Sequence, residues 1–276
     1  MNRIAPALVR TALVLLAATA VPPSVARAES VPAPAAAAAP TPLAMAKQRL
    51  YAATYAPTES LVAARGALAA LSAAAPKSAI RHYWVALADY RLTPRFMGAK
   101  GAGGSGDSKQ AGRWCEDGLG HLEQALKLDP KLADALALQA GLMGMAISID
   151  PSRAMALGGQ IQETLGRAEA LAPRNPRIAL IRGINVFHMP PFFGGGAERA
   201  LGVLQKAQEL YASEKPAPEA IDWGHDEAFA WAGRAAGELG RIDDARAFYQ
   251  KALAINPGNY WVETSLLPEL ERKAKS

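Results

Sequence analysis

Residues 226–257 read DEAFAWAGRAAGELGRIDDARAFYQKALAINP. Small and aromatic residues recur in this stretch at the spacing of two α-helices that pack on each other. Small side chains let the helices approach, larger apolar side chains fill the space around them, and a proline ends the second helix because it lacks the N–H that continues the hydrogen-bond ladder. The stretch therefore predicts a helix pair. Its key positions are Phe229, Gly233, Gly240, Ala245, Tyr249, Ala252 and Pro257.

The spacing resembles the tetratricopeptide repeat, a unit of about 34 residues with a large residue and a glycine in its first helix and the pattern A-x3-F-x2-A-x4-P in its second. The resemblance implies an all-α fold, an α-solenoid, and a protein that binds partners rather than one that catalyses a reaction. A single pair cannot bury its apolar face alone, so we expect further pairs to stack on this one.

The second-helix pattern recurs upstream, where it becomes less complete toward the N-terminus. We predict about five helix pairs within residues 43–276, followed by a C-terminal capping helix that Pro268 should kink. Insertions at residues 93–110 and 188–196 fall within pairs and belong on one edge of the solenoid, whereas residues 213–224 join two pairs and belong on the opposite edge. The recurring sets are Ala64, Leu68 and Pro76; Gly118, Leu122, Ala125 and Pro130; Ile161, Leu165, Ala168 and Pro173; and Ala200, Leu204 and Ala207, with Ala212 in place of the proline.

The N-terminus has the pattern of an export signal. Arg3 and Arg10 precede an apolar run over residues 11–21, and residues 26–28 (Ala-Arg-Ala) form a small-x-small cleavage site. We therefore predict a signal peptide over residues 1–28, with an uncleaved anchor as the alternative, and a disordered linker rich in alanine and proline over residues 29–42. The run is too short to span a membrane, and no later segment is long and uncharged enough. The expected location is the periplasm, with secretion as the alternative.

Charge and cysteine content narrow the functional classes. The chain has 30 basic and 25 acidic residues, but three of the arginines lie in the predicted signal, so the remainder is close to balanced. The charges alternate in sign along the predicted helices, which argues against a nucleic-acid surface. Cys115 is the only cysteine, so no intramolecular disulfide can form, and we expect it to be a buried apolar residue.

Two motifs that could indicate chemistry are weak. Residues 100–109 (KGAGGSGDSK) resemble a phosphate-binding loop, but Asp107 stands where that loop has lysine, and no strand precedes it. We interpret the segment as a flexible linker. The four histidines have no metal-ligand spacing. We therefore expect no cofactor, no metal and no catalytic activity.

The family resemblance also implies which residues line the inner groove, because members use defined positions of the first helix of each pair. The groove would be mixed in charge, with an apolar patch at Phe187. A strongly cationic clamp for peptide C-termini, which some members have, is not apparent. The candidate groove residues are His82, Asp89, Asp134, Arg177, Phe187, His188, Glu227 and Arg234.

The loop after His188 reads MPPFFGGG over residues 189–196. Phe192 and Phe193 either tuck onto the solenoid or form a binding element, since exposed aromatic patches mark contact sites. The element P-P-x-F-G-G resembles a loop in some exported bacterial repeat proteins, including a soluble repeat component associated with substrate-binding transporters.

Two functions remain open at the level of sequence. The first is an exported, non-enzymatic scaffold that binds a protein or peptide in its concave groove. The second is a ligand-binding accessory component of a periplasmic transport system, in which the groove and the two phenylalanines enclose a small apolar molecule. The partner stays unknown, and a homo-oligomer stays open.

Overall fold

The computed structural model describes residues 39–97, 105–216 and 220–275, and the residues from Pro40 onward form one compact unit. The predicted signal peptide and most of the predicted linker lie outside the described residues. Described residues form helices joined by turns and loops, without strands. The helices are α1 (Pro42–Thr54), α2 (Thr58–Ala74), α3 (Ala79–Phe96), α4 (Ser108–Leu128), α5 (Ala133–Ile149), α6 (Ala154–Leu171), α7 (Pro176–His188), α8 (Ala197–Ser213), α9 (His225–Glu238), α10 (Ile242–Ile255) and α11 (Leu267–Lys273).

The helices pack as five consecutive pairs, α1–α2 through α9–α10, which confirms the predicted solenoid. The first helices of neighbouring pairs also contact one another, from α1 through α9, and so form a continuous inner layer. A capping segment follows the last pair, with a π-helical turn at Val262–Leu266 leading into α11. Pro268 lies in the first turn of α11, where its missing N–H interrupts the regular ladder.

The small residues of the repeat lie where two helices meet most closely. A Cβ atom built on Gly233 would come within 2.4 Å of a ring carbon of Tyr249, and one built on Gly183 within 2.7 Å of Leu204. These contacts are too short for any side chain, so glycine sets the distance between the helices of the last two pairs. Cys115 is buried as expected, and its thiol donates to the carbonyl oxygen of Leu142 at 3.3 Å.

Asp107, which disagreed with the phosphate-loop pattern, has a structural role. Its carboxylate accepts the backbone N–H of Gln110 at 2.9 Å and so caps the first turn of α4. Residues 98–104, which hold four of the five glycines before it, lie outside the described residues, whereas Gly106 is described and has φ 76°.

Candidate binding face

The inner layer is partly filled by the protein's own chain. Residues 221–223, in the connection between α8 and α9, lie against α1 and α3, although the sequence places this insertion at the opposite edge of the solenoid. Trp223 is 5% exposed, and its indole N–H donates to the hydroxyl of Tyr83 at 2.6 Å. The guanidinium of Arg91 lies over the indole at 4.9 Å from the ring centre. The segment turns inward because burial of a large apolar ring outweighs leaving it in solvent.

Asp222 fixes the same segment to α1. Its carboxylate pairs with the Lys47 ammonium at 2.9 Å and accepts a hydrogen bond from the hydroxyl of Tyr51. Lys47 also donates to the carbonyl oxygen of Ala220 at 2.6 Å. A further bond joins the hydroxyl of Tyr55 to Asp226 at 2.9 Å, so α1 is connected directly to the start of α9.

The missing proline of the fourth pair explains how this segment is positioned. Ala212 stands where the other second helices are followed by proline, and α8 continues through it to Ser213. The added turn carries Tyr211, whose hydroxyl donates to the carbonyl oxygen of Trp223 at 2.9 Å. Gly224 then adopts φ 99°, and a Cβ there would lie 2.4 Å from the Tyr211 hydroxyl oxygen. Only glycine fits this turn.

Four of the candidate groove residues form buried ion pairs within the chain. Asp89 pairs with Arg65 at 2.9 Å, and both carboxylate oxygens of Glu227 accept from Arg91. Burial raises the pKa of Asp89 to about 6 against the effect of Arg65, and burial also raises the pKa of Glu227. The binding role of these residues stays a prediction, but their contacts are structural.

The other two of the four belong to a bridge between three helical segments. The guanidinium of Arg177 pairs with Asp134 at 2.6 Å and with Glu214 at 2.7 Å, and Asn175 donates to Asp134 at 2.7 Å. Arg177 is 6% exposed. A guanidinium divided between two carboxylates in this way has little capacity left for an external ligand.

His82 lies at the start of α3 and contacts the second helices on either side. Its Nδ1 is 3.1 Å from Nδ1 of His121 and 3.3 Å from the hydroxyl of Ser72, and its Nε2 is 3.0 Å from the carbonyl oxygen of Pro76. Burial and the nearby charges of Arg65 and His82 lower the pKa of His121. This cluster joins three helices and is separate from the aromatic residues at the other end of the inner layer.

The remaining groove candidates, Phe187, His188 and Arg234, do come together. They lie on α7 and α9 with Trp231, and Trp261 at the start of the capping segment extends the group. Ring centres are 5.7 Å apart for Phe187 and Trp231, 5.5 Å for His188 and Trp231, and 5.4 Å for Trp231 and Trp261. We call these five residues the aromatic face.

Arg234 is the charged centre of the aromatic face. Its guanidinium lies 5.2 Å from the ring centre of Phe187 and 5.0 Å from that of Trp231. Among the described residues it forms no ion pair, although α9 also contains Glu227 and Glu238, because these two pair with Arg91 and Lys273 instead. Partial desolvation, followed by the charge of Arg234, lowers the pKa of His188 to about 4, so His188 is neutral at pH 7.

The loop that follows α7 displays the two phenylalanines outward. Phe192 is 91% exposed and Phe193 is 70% exposed, and the two rings pack edge to face at 5.3 Å. A short turn at Pro191–Phe193 and a bond from the N–H of Gly196 to the carbonyl oxygen of Val186 hold the loop. The rings therefore neither plug the solenoid nor enclose a cavity.

Trp231 and Trp261 were missed by the sequence reasoning. Trp231 stands one position away from an inner-groove position, but it precedes Arg234 by three residues on one helix, a spacing that brings the two side chains together. Trp261 lies in the predicted capping segment, outside the repeat register that gave the groove candidates. Its distance from Trp231 along the chain leaves no local signal for their contact.

Neither a metal cluster nor a transmembrane helix occurs in the part of the chain that the structure describes. Within those residues no group of three or more His, Cys, Asp or Glu side chains is placed to hold a metal ion. No helix among them is long and apolar enough to cross a membrane.

Comparison with known proteins agrees with this architecture. The tetratricopeptide-repeat family model matches residues 226–259. A thermophilic TPR protein from Thermus thermophilus has the same fold, with a TM-score of 0.59 and 18% identity over 85% of this chain and 98% of that one. The HusA haemophore from Porphyromonas gingivalis is similar in fold, with a TM-score of 0.58 and 21% identity over 70% of this chain and 92% of that one. No curated protein matches significantly.

The fold defines the class as an α-solenoid of stacked helix pairs. Residues 226–259 match the tetratricopeptide repeat, and the solenoid as a whole shares its fold with a solved TPR protein.

Proposed function

We propose that this protein is an exported, non-enzymatic interaction scaffold that binds a protein or peptide partner on the aromatic face. The observation that carries the proposal is Arg234, a guanidinium held over two rings on the inner layer with no carboxylate partner among the described residues. Concave surfaces built by stacked repeats commonly serve as binding surfaces. Aromatic residues and arginine are also the types most enriched in energetically important positions of interfaces.

Residues 221–223 fill the half of the inner layer near α1 and α3, which we call the self-filled half. This supports placing the partner at the aromatic face. A partner that entered near α1 and α3 would have to displace Trp223 and break the contacts of Asp222 with Lys47 and Tyr51. The aromatic face requires no such displacement, because its side chains are only partly covered. Phe192 and Phe193 supply a second, exposed contact beside α7.

The export part of the proposal rests on sequence, namely the basic N-terminus, the apolar run at residues 11–21 and the cleavage pattern at residues 26–28. We place the protein in the periplasm. Mass measurement of the N-terminus of the protein from its native host tests this, because export with cleavage predicts a first residue near Glu29. An intact Met1 would contradict it.

The interaction is tested by crosslinking in the native host and mass spectrometry of the captured proteins. We expect a near-stoichiometric partner to be captured by the wild type and lost from the double variant Trp231→Ala/Arg234→Ala. The matched control is Arg167→Ala/Leu171→Ala, which removes an exposed cation and an exposed apolar side chain from α6. Capture by the aromatic-face variant at the level of the control would count against this face.

A second candidate is the ligand-binding accessory component of a periplasmic transport system. The similarity in fold to a haemophore and the neutral His188 beside three aromatic rings support it, since such a face also suits a flat apolar molecule. Native mass spectrometry of the protein purified from its host distinguishes the candidates. A bound small molecule that is lost in Trp231→Ala would support the accessory, whereas the bare mass of the chain would argue against it.

A further inference from the structure

One half of the inner layer holds a segment of the protein's own chain. Asp222 and Trp223 form an acidic and aromatic dipeptide held in the half of the layer near α1 and α3. The carboxylate is bound by Lys47 at 2.9 Å and by a tyrosine hydroxyl, and the indole lies beneath the Arg91 guanidinium. Recognition here uses one cation for the acid and one stacked guanidinium for the ring.

The aromatic face also holds a guanidinium over aromatic rings, but without such an occupant among the described residues. Arg234 is stacked on the rings of Phe187 and Trp231, as Arg91 is stacked on Trp223. The two sites differ in their cations. Lys47 and Tyr51, which bind the carboxylate in the first site, have no counterpart in the aromatic face. Arg91 is neutralised by Glu227, whereas Arg234 has no acid partner in the described part of the chain. A site that holds an unneutralised guanidinium next to ring surface is complementary to a carboxylate and an adjacent ring.

The acids nearest to Arg234 in sequence do not fill this need. Glu238, one turn further along α9, pairs with Lys273 at 3.5 Å. Glu227, two turns before Arg234, is buried and bound by Arg91. Neither acid neutralises Arg234, so its guanidinium is available to a carboxylate from a partner.

We infer that the partner segment recognised by the aromatic face carries an aspartate or glutamate directly beside an aromatic residue. This inference rests on the proposed function, and it names the chemistry of the partner at the same site. The carboxylate would accept from the guanidinium edge of Arg234, while the ring would pack on Trp231 and Trp261. The chain's own residues 220–224 (AIDWG) supply a minimal probe of this chemistry.

The test is selection of random twelve-residue peptides, displayed on phage, against the purified full-length protein. Affinities of the selected peptides and of the synthetic peptides AIDWG, AINWG and AIKWG are then measured by fluorescence anisotropy. We expect selected peptides to share an acid next to an aromatic residue, and AIDWG to bind more tightly than AINWG by about tenfold or more, with AIKWG weaker still. Arg234→Ala should weaken the selected peptides by a similar factor, and Arg234→Lys should restore only part of the affinity because it loses the planar stacking.

The results that would overturn this inference differ from those that would overturn the proposed function. Enrichment of basic or purely apolar peptides would overturn the inference, and so would selected peptides that bind wild type and Arg234→Ala equally. An absence of enriched peptides would also overturn it. In all three cases the scaffold proposal would stand or fall on the crosslinked partner and its dependence on Trp231. Binding that is strengthened in Trp223→Ala and unchanged in Arg234→Ala would overturn it too, because peptides would then enter the half of the inner layer that Trp223 occupies in the wild type.

Discussion

Replacing Arg91 with methionine should destabilise the protein strongly. The Arg91 guanidinium binds both carboxylate oxygens of Glu227, which is 6% exposed, and it covers the indole of Trp223. Removal of one partner of a buried ion pair leaves the other charge buried and unpaired, which costs about 3–5 kcal/mol. The lost stacking adds up to ~2 kcal/mol.

The assay is urea denaturation followed by circular dichroism at 222 nm, with a thermal scan alongside. For a chain of this size, the combined loss of about 3–7 kcal/mol corresponds to a fall of roughly 6–28 °C in Tm. The matched control is Arg246→Met, which breaks ion pairs with Asp243 and Glu271 on the exposed side of α10. That change should leave the urea midpoint close to that of the wild type, since solvent screens exposed pairs.

Two further results decide whether the buried charge is the cause. The double variant Arg91→Met/Glu227→Met should recover most of the lost stability, because no charge remains buried. The pKa of Glu227 is already raised by burial, and loss of Arg91 raises it further, so the single variant should become more stable relative to wild type as the pH falls toward 5. A loss below ~1 kcal/mol in Arg91→Met, or a double variant as unstable as the single one, would refute the reasoning.

Four other substitutions test the packing and the titration. Trp223→Ala should cost about 3–5 kcal/mol by calorimetry, because it empties a buried site. Gly233→Ala should cost roughly 1–3 kcal/mol, because its Cβ meets the ring of Tyr249, whereas Gly66→Ala, with nothing within 4 Å, should gain up to ~1 kcal/mol in the same measurement. The folded protein holds the pKa of His121 below its usual 6.5, so near that pH the unfolded chain binds more protons than the folded one, and stability falls as the pH is lowered. His121→Gln should therefore lose less stability than the wild type between pH 7.5 and 5.5. A urea midpoint with the same pH dependence in both proteins would contradict this.

The five helix pairs could be predicted because the residues that define them act locally. Gly183 and Gly233 mark where the two helices of a pair meet, and the partner helix follows within a few tens of residues. Pro257 marks the end of a second helix in the same way. Spacing along the chain carries all of this information.

The contacts across the inner layer could not be predicted in the same way. Trp223 and Tyr83 are 140 residues apart, and Arg91 and Glu227 are 136 residues apart. Their pairing depends on the rotation of each helix pair relative to the one before it, added up over the whole solenoid. The small residues at any one interface do not determine this total rotation. The sequence places Trp223 in a loop, but whether that loop points into solvent or folds onto the inner layer depends on the curvature of the assembled solenoid.

The aromatic face lies between these two cases. Phe187, His188 and Arg234 were reached from the repeat register, because neighbouring first helices bring their inner positions together. Trp231 has a local signal in its three-residue separation from Arg234, whereas Trp261 reaches the face only through the turn into the capping segment. The repeat register therefore predicts where the aromatic face lies, whereas the three-dimensional packing determines which further residues belong to it.

Because part of the inner layer is filled by internal contacts, only some of its residues can be replaced to test partner binding without also changing stability. Arg177 and Arg234 look equivalent in the register, since both are arginines at inner positions of a first helix. Arg177 holds Asp134 and Glu214 together in a buried bridge, so its replacement would weaken capture of a partner by loosening the solenoid. Arg234 holds no other charge in the described part of the chain, so its replacement removes a binding group and leaves the fold in place. Loss of capture in Arg234→Ala with at most a small fall in Tm, from the lost stacking on Phe187 and Trp231, would therefore identify a recognition surface, whereas the same loss in Arg177→Ala would not.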